Sequence, residues 1–255
     1  MGSSRLKRLT TRVRLRLFSA LGKKTVEQRL QDGPTMILDT ADAVTARILL
    51  EDTYEPDVRR EFLRHVLPGK HILDIGANIG YYTVLGASKL SVGSSVLAFE
   101  PQPNVLSKLR RNIEKNQLTN VRVYPIALAS INGVAEFYLP PLGDEVMGSL
   151  QQNGRFHTSG VIQVETKRLD DLLAELGNPE IGLIKMDAEG AELEILRGAN
   201  KLLSGSGKPV IIFEANESNC RPFGYDVFEL LSYVHGLGYN LLQIDHEDWL
   251  AVPIV

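Results

Sequence analysis

Apolar positions change period along the chain, and each change predicts an element. Near the start, Leu6, Leu9, Val13, Leu17 and Leu21 recur at three- and four-residue steps, the spacing of one helix face. Beyond Gly33-Pro34 a mixed stretch leads into "EPDVRREFLRHVLPGK". There Val58, Phe62, Leu63 and Val66 again have helical spacing, and Pro68-Gly69 stops the helix. From His71 onward, short continuous apolar runs alternate with helical patterns. The runs predict strands at 71–75, 95–100, 121–125, 181–187, 210–214 and 239–245. The patterns between them predict helices at 81–89, 105–116, 169–176, 192–203 and 226–237. This alternation specifies a parallel sheet covered on both faces, and continuous rather than alternating apolar runs suit strands buried on both sides. One interval breaks the rhythm. "GVAEFYLP" and "VIQVETKR" read as two strands joined by a polar loop, a hairpin or flap over about residues 133–164 inserted before the fourth parallel strand. One large domain is expected over residues 51–255, preceded by a basic helical arm and lead-in over residues 1–50.

Composition narrows the class. A chain of 255 residues with 44% apolar and 23% charged residues can bury a sizeable core. A formal net charge of -3 does not suit neutralising nucleic-acid phosphates. The single cysteine, Cys220, excludes an intramolecular disulfide framework and any multi-cysteine metal site. A reducing, cytoplasmic setting is the expectation from that usage. No apolar run is long enough to span a bilayer, and no secretory apolar region follows the basic start. Charge is nevertheless uneven: eight basic and no acidic residues lie between Arg5 and Lys24. Arg8, Arg12 and Arg16 run beside the leucine stripe. Three readings fit this arm: a solvated or partner-packed helix, peripheral contact with an anionic membrane surface through residues 5–24, or a transit peptide.

Candidate chemistry starts at "HILDIGANIGYYTVLGA". Asp74, Gly76 and Gly80 sit where a strand ends and a helix begins, and a glycine there lets backbone approach a ligand. Glu100 ends the next strand in "VLAFEPQPN", where a carboxylate can accept from the two vicinal hydroxyls of a ribose. A dinucleotide fingerprint would place a pyrophosphate on the helix amino end. An acid before the first glycine repels a pyrophosphate and favours a ligand with an ammonium or sulfonium group. The electrostatics therefore favour S-adenosylmethionine over NAD.

Together "DIGANIGYYT", "FEPQPN" and "IKMDAEGAELEILRGA" resemble the FkbM-type branch of the class I S-adenosylmethionine-dependent methyltransferases. The resemblance runs from about Tyr54 to Asn216. It implies a Rossmann-like, seven-stranded, mainly parallel sheet with one antiparallel strand, which "LAVPIV" can supply. It also implies O-methylation of a sugar or natural-product hydroxyl. By position, Gly76, Ala77 and Asn78 would hold the methionine part, with Asp74 beneath. Glu100 would bind the ribose hydroxyls, and Pro101 and Gln102 would line the adenosine edge. Ile126 and Ala127 would pack near the adenine, and Tyr54-Glu55 resembles the stretch that closes over the cofactor. Asn78 replaces the middle glycine of the broader class.

Methyl transfer needs an in-line nucleophile relieved of its proton. Ligands of open parallel sheets sit beyond the carboxyl ends of the strands. Asp187 and Glu189 of "KMDAEGAE" and Glu214 of "VIIFEAN" end strands there. They can accept a proton, hold sugar hydroxyls or ligate a divalent cation such as magnesium, which the sequence does not require. Glu189 has a second reading as a first-turn acid on the next helix. Asp187 also borders the cofactor, and Lys185 shares its strand face as a candidate ion-pair partner. In the flap, His157 is a candidate base. Met147 to Leu150 would shape the acceptor pocket, and Phe137, Tyr138 and Phe156 are candidates for stacking on a sugar ring. His65, His71, His235 and His246 carry no motif. The expected activity is an S-adenosylmethionine-dependent O-methyltransferase acting on a small-molecule or glycan acceptor. The rivals are a non-catalytic S-adenosylmethionine-binding scaffold and an NAD-dependent oxidoreductase.

Overall fold

A computed structural model describes residues 22–51, 53–141, 148–152 and 157–254. Most of the basic helix expected at residues 5–24 lies outside these residues; 22–24 are turn and irregular backbone. In the lead-in, to which the sequence assigned no element, β1 (Thr25–Arg29) and β2 (Thr35–Asp39) form an antiparallel hairpin, followed by α1 (Ala43–Glu51) and α2 (Pro56–Arg64). Then come β3 (His71–Ile75), α3 (Tyr81–Ala87), β4 (Val96–Phe99), α4 (Pro103–Lys115) and β5 (Val121–Tyr124). The interruption is β6 (Ala127–Leu128), β7 (Gly133–Leu139) and β8 (Gly160–Lys167). The second half holds α5 (Leu169–Glu175), β9 (Ile181–Met186), α6 (Glu192–Gly198), α7 (Asn200–Ser204) and β10 (Val210–Glu214). It closes with α8 (Glu217–Cys220), a 3-10 turn (Arg221–Phe223), α9 (Val227–Gly236), β11 (Tyr239–Gln243) and β12 (Asp248–Pro253).

The central sheet has seven strands in the order β11-β12-β10-β9-β3-β4-β5. β12 runs antiparallel to both neighbours, and the remaining pairings are parallel. The expected Rossmann-like sheet is therefore present, with Leu250 to Pro253 of the carboxyl-terminal stretch in the antiparallel strand. Continuous apolar strands work here because successive side chains enter two different cores. Leu73, Ile75, Phe99, Ile184 and Phe213 bury on one face. Ile72, Val96, Leu183, Ile212 and Leu250 bury on the other. Strand order reverses between β3 and β9, and the crevice at such a switch point is where ligands of open α/β sheets bind.

The hairpin docks on α4 through polar side chains. Ile37 N donates to Asn112 Oδ1 at 2.7 Å, and Thr35 N donates to Asn116 Oδ1 at 2.8 Å. Asn112 Nδ2 in turn donates to the Ile79 carbonyl at 2.8 Å, tying the hairpin to the glycine turn. The outer backbone groups of β2 are thus satisfied without another strand. The interruption is a small side sheet in the order β6-β8-β7, with β7 and β8 antiparallel as expected of a hairpin. The single helix expected at 192–203 is two helices broken at Ala199. Gly198 lies so close to Ala129 that a Cβ there would stand 2.2 Å from the Ala129 carbonyl oxygen, and the chain bends at this contact.

Candidate active site

The glycine turn is dictated by close approach of two strand ends. Gly76 has φ +74°, and an ideal Cβ on it would lie 1.8 Å from the backbone oxygen of Asp187. Only glycine lets β3 and β9 meet this closely. Asn78 follows at φ +50°, a left-handed conformation that asparagine tolerates, and its Oδ1 accepts from Ile79 N at 2.7 Å. Beneath the turn Asp74 is 2% exposed and accepts a hydrogen bond from the Thr83 hydroxyl of α3. Burial lifts its carboxyl to about pH 6, against the Thr83 bond and the charge of Lys185.

Glu100 leaves the end of β4 and folds back under this turn. Its two oxygens each accept one backbone N–H, from Asn78 and from Gln102, both at 2.9 Å. Burial pushes its pKa up to about 7 despite those bonds. Each oxygen keeps a lone pair for a further donor. Ala77, Pro101, Gln102, Ile126 and Ala127 line the same cavity of about 380 Å³, a size typical of small-molecule sites. All of these positions, expected from the sequence to meet a cofactor, face this one cavity.

Across the cavity stands a second group of acids. Glu55 has φ +45°, its carboxylate accepts from the Tyr82 hydroxyl at 3.0 Å, and burial raises its pKa. Tyr54 packs edge-on against Tyr81 with ring centroids 5.6 Å apart. Asp187 follows β9 directly, and its backbone N–H donates to the Ile75 carbonyl at 3.0 Å. Glu189 and Glu214 share one amide: Asn219 Nδ2 donates to Glu189 Oε2 at 2.8 Å and to Glu214 Oε2 at 2.9 Å. Burial first, then the charges of Asp187 and Glu189, push Glu214 up to about 10. A carboxyl raised that far holds its proton at neutral pH and can donate it in a hydrogen bond. The first-turn role that Glu189 was a candidate for belongs to Glu192, whose Oε1 accepts from Ala188 N at 2.8 Å. Among the described residues, no three His, Cys, Asp or Glu side chains are grouped to hold a metal ion.

Part of the described flap reaches the cavity. Phe137 is buried against Ala127 and Val164 and faces the cavity, together with Gly148 and Leu150. Ser149 ties the flap to the acid cluster, its hydroxyl donating to the Glu189 carbonyl at 2.9 Å. Tyr138 points away and bonds Glu136. His157 is exposed and lies outside the cavity wall. Met147 and Phe156 lie outside the described residues.

Several cavity residues escaped sequence reasoning. Val44 and Arg47 reach it from α1, and Asp245 to Asp248 reach it from the β11–β12 turn. Asp248 is placed by its antiparallel pairing with Glu214, 34 residues earlier, and burial raises its pKa to about 7. No local pattern announces that pairing. His246, assigned no role from the sequence, stands on this same rim.

Residues 74–241 match the family described as "Methyltransferase FkbM domain". The chain belongs to the FkbM family of S-adenosylmethionine-dependent methyltransferases. The 2-O-methyltransferase NoeI of Sinorhizobium fredii is 33% identical over 151 residues, 54% of this chain and 60% of NoeI. The hexuronic acid methyltransferase AglP of Haloferax volcanii is 29% identical over 161 residues, 62% of this chain and 56% of AglP. The 31-O-demethyl-FK506 methyltransferase FkbM of Streptomyces tacrolimicus is 29% identical over 199 residues, 67% of this chain and 74% of that protein. The chain thus spans less than two thirds of the length of NoeI and of AglP. Among the described residues no helix is long and apolar enough to cross a membrane.

Proposed function

We propose that this chain transfers the methyl group of S-adenosylmethionine to a hydroxyl of a neutral sugar or natural product. The observation that carries the reading is the pairing at the switch point: a glycine cradle floored by buried Asp74, with Glu100 bonded beneath it and open to the cavity. That charge pattern suits a cationic methionine moiety and a ribose, and disfavours a pyrophosphate. The cofactor, when bound, supplies an electrophilic methyl on a sulfonium. Gly76, Ala77 and Asn78 would hold its methionine part, and Glu100 would accept from its ribose hydroxyls. Pro101, Gln102, Ile126 and Ala127 would flank the adenosine, and Tyr54 with Glu55 would close the opposite side.

Asp187 is the group best placed to relieve an acceptor of its proton, because it ends the central strand and its side chain is one-third exposed toward the cavity. Support for O-methylation comes from the similarity to NoeI, a 2-O-methyltransferase, and to FkbM, a 31-O-demethyl-FK506 methyltransferase. AglP is named for an acidic sugar. Here the acceptor edge carries Glu189, Asp245, Glu247 and Asp248, which disfavours an anionic acceptor. Incubating the protein with methyl-labelled S-adenosylmethionine and methyl glycosides of a neutral sugar, a uronic acid and an amino sugar tests this. Label is expected in the neutral glycoside; label confined to the uronic acid would overturn the acceptor class.

A further inference from the structure

One buried cation in the cavity wall has a charge environment but no bond. Lys185 sits on β9 with 2% of its surface exposed, and its Nζ has no hydrogen-bond partner among the described residues. Asp187 Oδ2 lies 3.9 Å from it and Asp248 Oδ1 lies 3.8 Å from it, both beyond hydrogen-bond reach. The Tyr82 ring covers the ammonium, its centroid 5.3 Å away, and Glu55 adds more distant negative charge. An ammonium has three donors to satisfy and accepts nothing, and buried donors are rarely left unpaired.

The chemistry of the gap restricts what fills it. An occupant between Lys185 and Asp187 must accept from the ammonium and donate to the carboxylate. An ionised carboxylate has no proton to donate, and an ammonium has no lone pair to offer. A hydroxyl does both, and water is its stand-in when no acceptor is bound.

We propose that Lys185 and Asp187 clamp the acceptor hydroxyl, making Lys185 a catalytic residue of the transfer. The inference rests on the methyl-transfer reading above. Lys185 would donate to the acceptor oxygen and hold the negative charge that develops there. As the O–H bond breaks, its proton passes to the Asp187 carboxylate. An oxygen lone pair forms the new O–CH3 bond, and the electrons of the breaking C–S bond go to sulfur. The products are a methyl ether, S-adenosylhomocysteine and a protonated Asp187. Asp248 steadies the ammonium from its other side.

Two measurements test the clamp. In a crystal of the wild-type protein with S-adenosylhomocysteine, a water oxygen is expected within about 3.2 Å of both Lys185 Nζ and an Asp187 carboxylate oxygen. Lys185 bonded instead to the methionine carboxylate of S-adenosylhomocysteine, or directly to a carboxylate of the chain, would overturn the proposal. With the neutral glycoside, Lys185→Met is expected to lower kcat about 100-fold while S-adenosylhomocysteine affinity by calorimetry stays within about threefold. An unchanged kcat, or an affinity loss above about tenfold, would overturn it equally. If no glycoside is methylated, the acceptor reading falls, while the bridging water still decides the clamp.

Discussion

The two edges of this cavity, proposed above as cofactor edge and acceptor edge, use the same carboxyl ends of the same sheet, yet they are built differently. On the cofactor edge the chain acts at short range. Asp74, Gly76, Asn78 and Glu100 lie within 27 residues and are fixed by backbone: a left-handed turn, a glycine against a carbonyl, two N–H groups on one carboxylate. On the acceptor edge Glu55, Lys185, Glu214 and Asp248 come from four distant segments and meet only because the sheet is complete. The carboxyls of Glu55 and Glu214 are held by side-chain bonds, and the Lys185 ammonium by charge alone. A rigid backbone cradle suits a ligand common to a whole family. A side-chain assembly leaves room for acceptors to vary between relatives.

The sharpest way to break the cofactor edge is Gly76→Ala. Its Cβ would overlap the Asp187 carbonyl in a backbone region alanine resists, so a loss of about 4 kcal/mol or more is expected in urea unfolding. Gly80→Ala is the control. Its Cβ would meet only the end of the Leu109 side chain, at 2.5 Å, which can move, although φ +91° still strains the variant. About half the loss, or less, is expected. Equal losses would mean that the close approach of β3 and β9 is not the deciding constraint.

Glu100 tests whether this edge is built for a ligand at the expense of the free protein. Its folded pKa of about 7 exceeds the ordinary glutamate value of 4.5, so the folded state binds the extra proton. The associated stability is fully present below pH 4.5 and is lost as pH rises through 7, about 3 kcal/mol in all. Glu100→Gln removes that loss but spoils one of the two backbone bonds, worth about 1 kcal/mol. The ligand-free variant should therefore be more stable than wild type by about 1–2 kcal/mol at pH 8, with the gain gone by pH 4. A variant less stable at both pH values would show that the carboxylate supports the fold rather than a ligand.

Much of the cofactor edge could be read from the sequence for a physical reason. Its constraints are local, so glycine, acid and strand end appear side by side in "LDIGANIG". The apolar runs of β3, β9 and β10 were equally legible, because a doubly buried strand needs no partner to declare itself. The lead-in was not. β1 and β2 are five residues each, and their anchors, Asn112 and Asn116, lie more than 70 residues away. Asp248 was hidden in the same way, since its position depends on register with Glu214 rather than on neighbours in the chain. Sequence reasoning gave His157 a possible base role because it stands alone in a polar loop. The fold leaves it exposed and outside the cavity wall. His157→Ala is accordingly the smallest expected effect, a methylation rate within twofold of wild type; a hundredfold fall would return the flap to the reacting centre.

The central claim is that Asp74, the glycine cradle and Glu100 together form a site for S-adenosylmethionine. Calorimetric titration with S-adenosylhomocysteine tests it most directly, run on the wild type and on a Glu100→Ala variant shown to be folded by circular dichroism. Saturable one-to-one binding by the wild type and an affinity at least about 100-fold weaker in the variant are expected, since two charge-assisted ribose bonds are lost. Absence of binding by the wild type, or undiminished affinity in Glu100→Ala, would contradict the account.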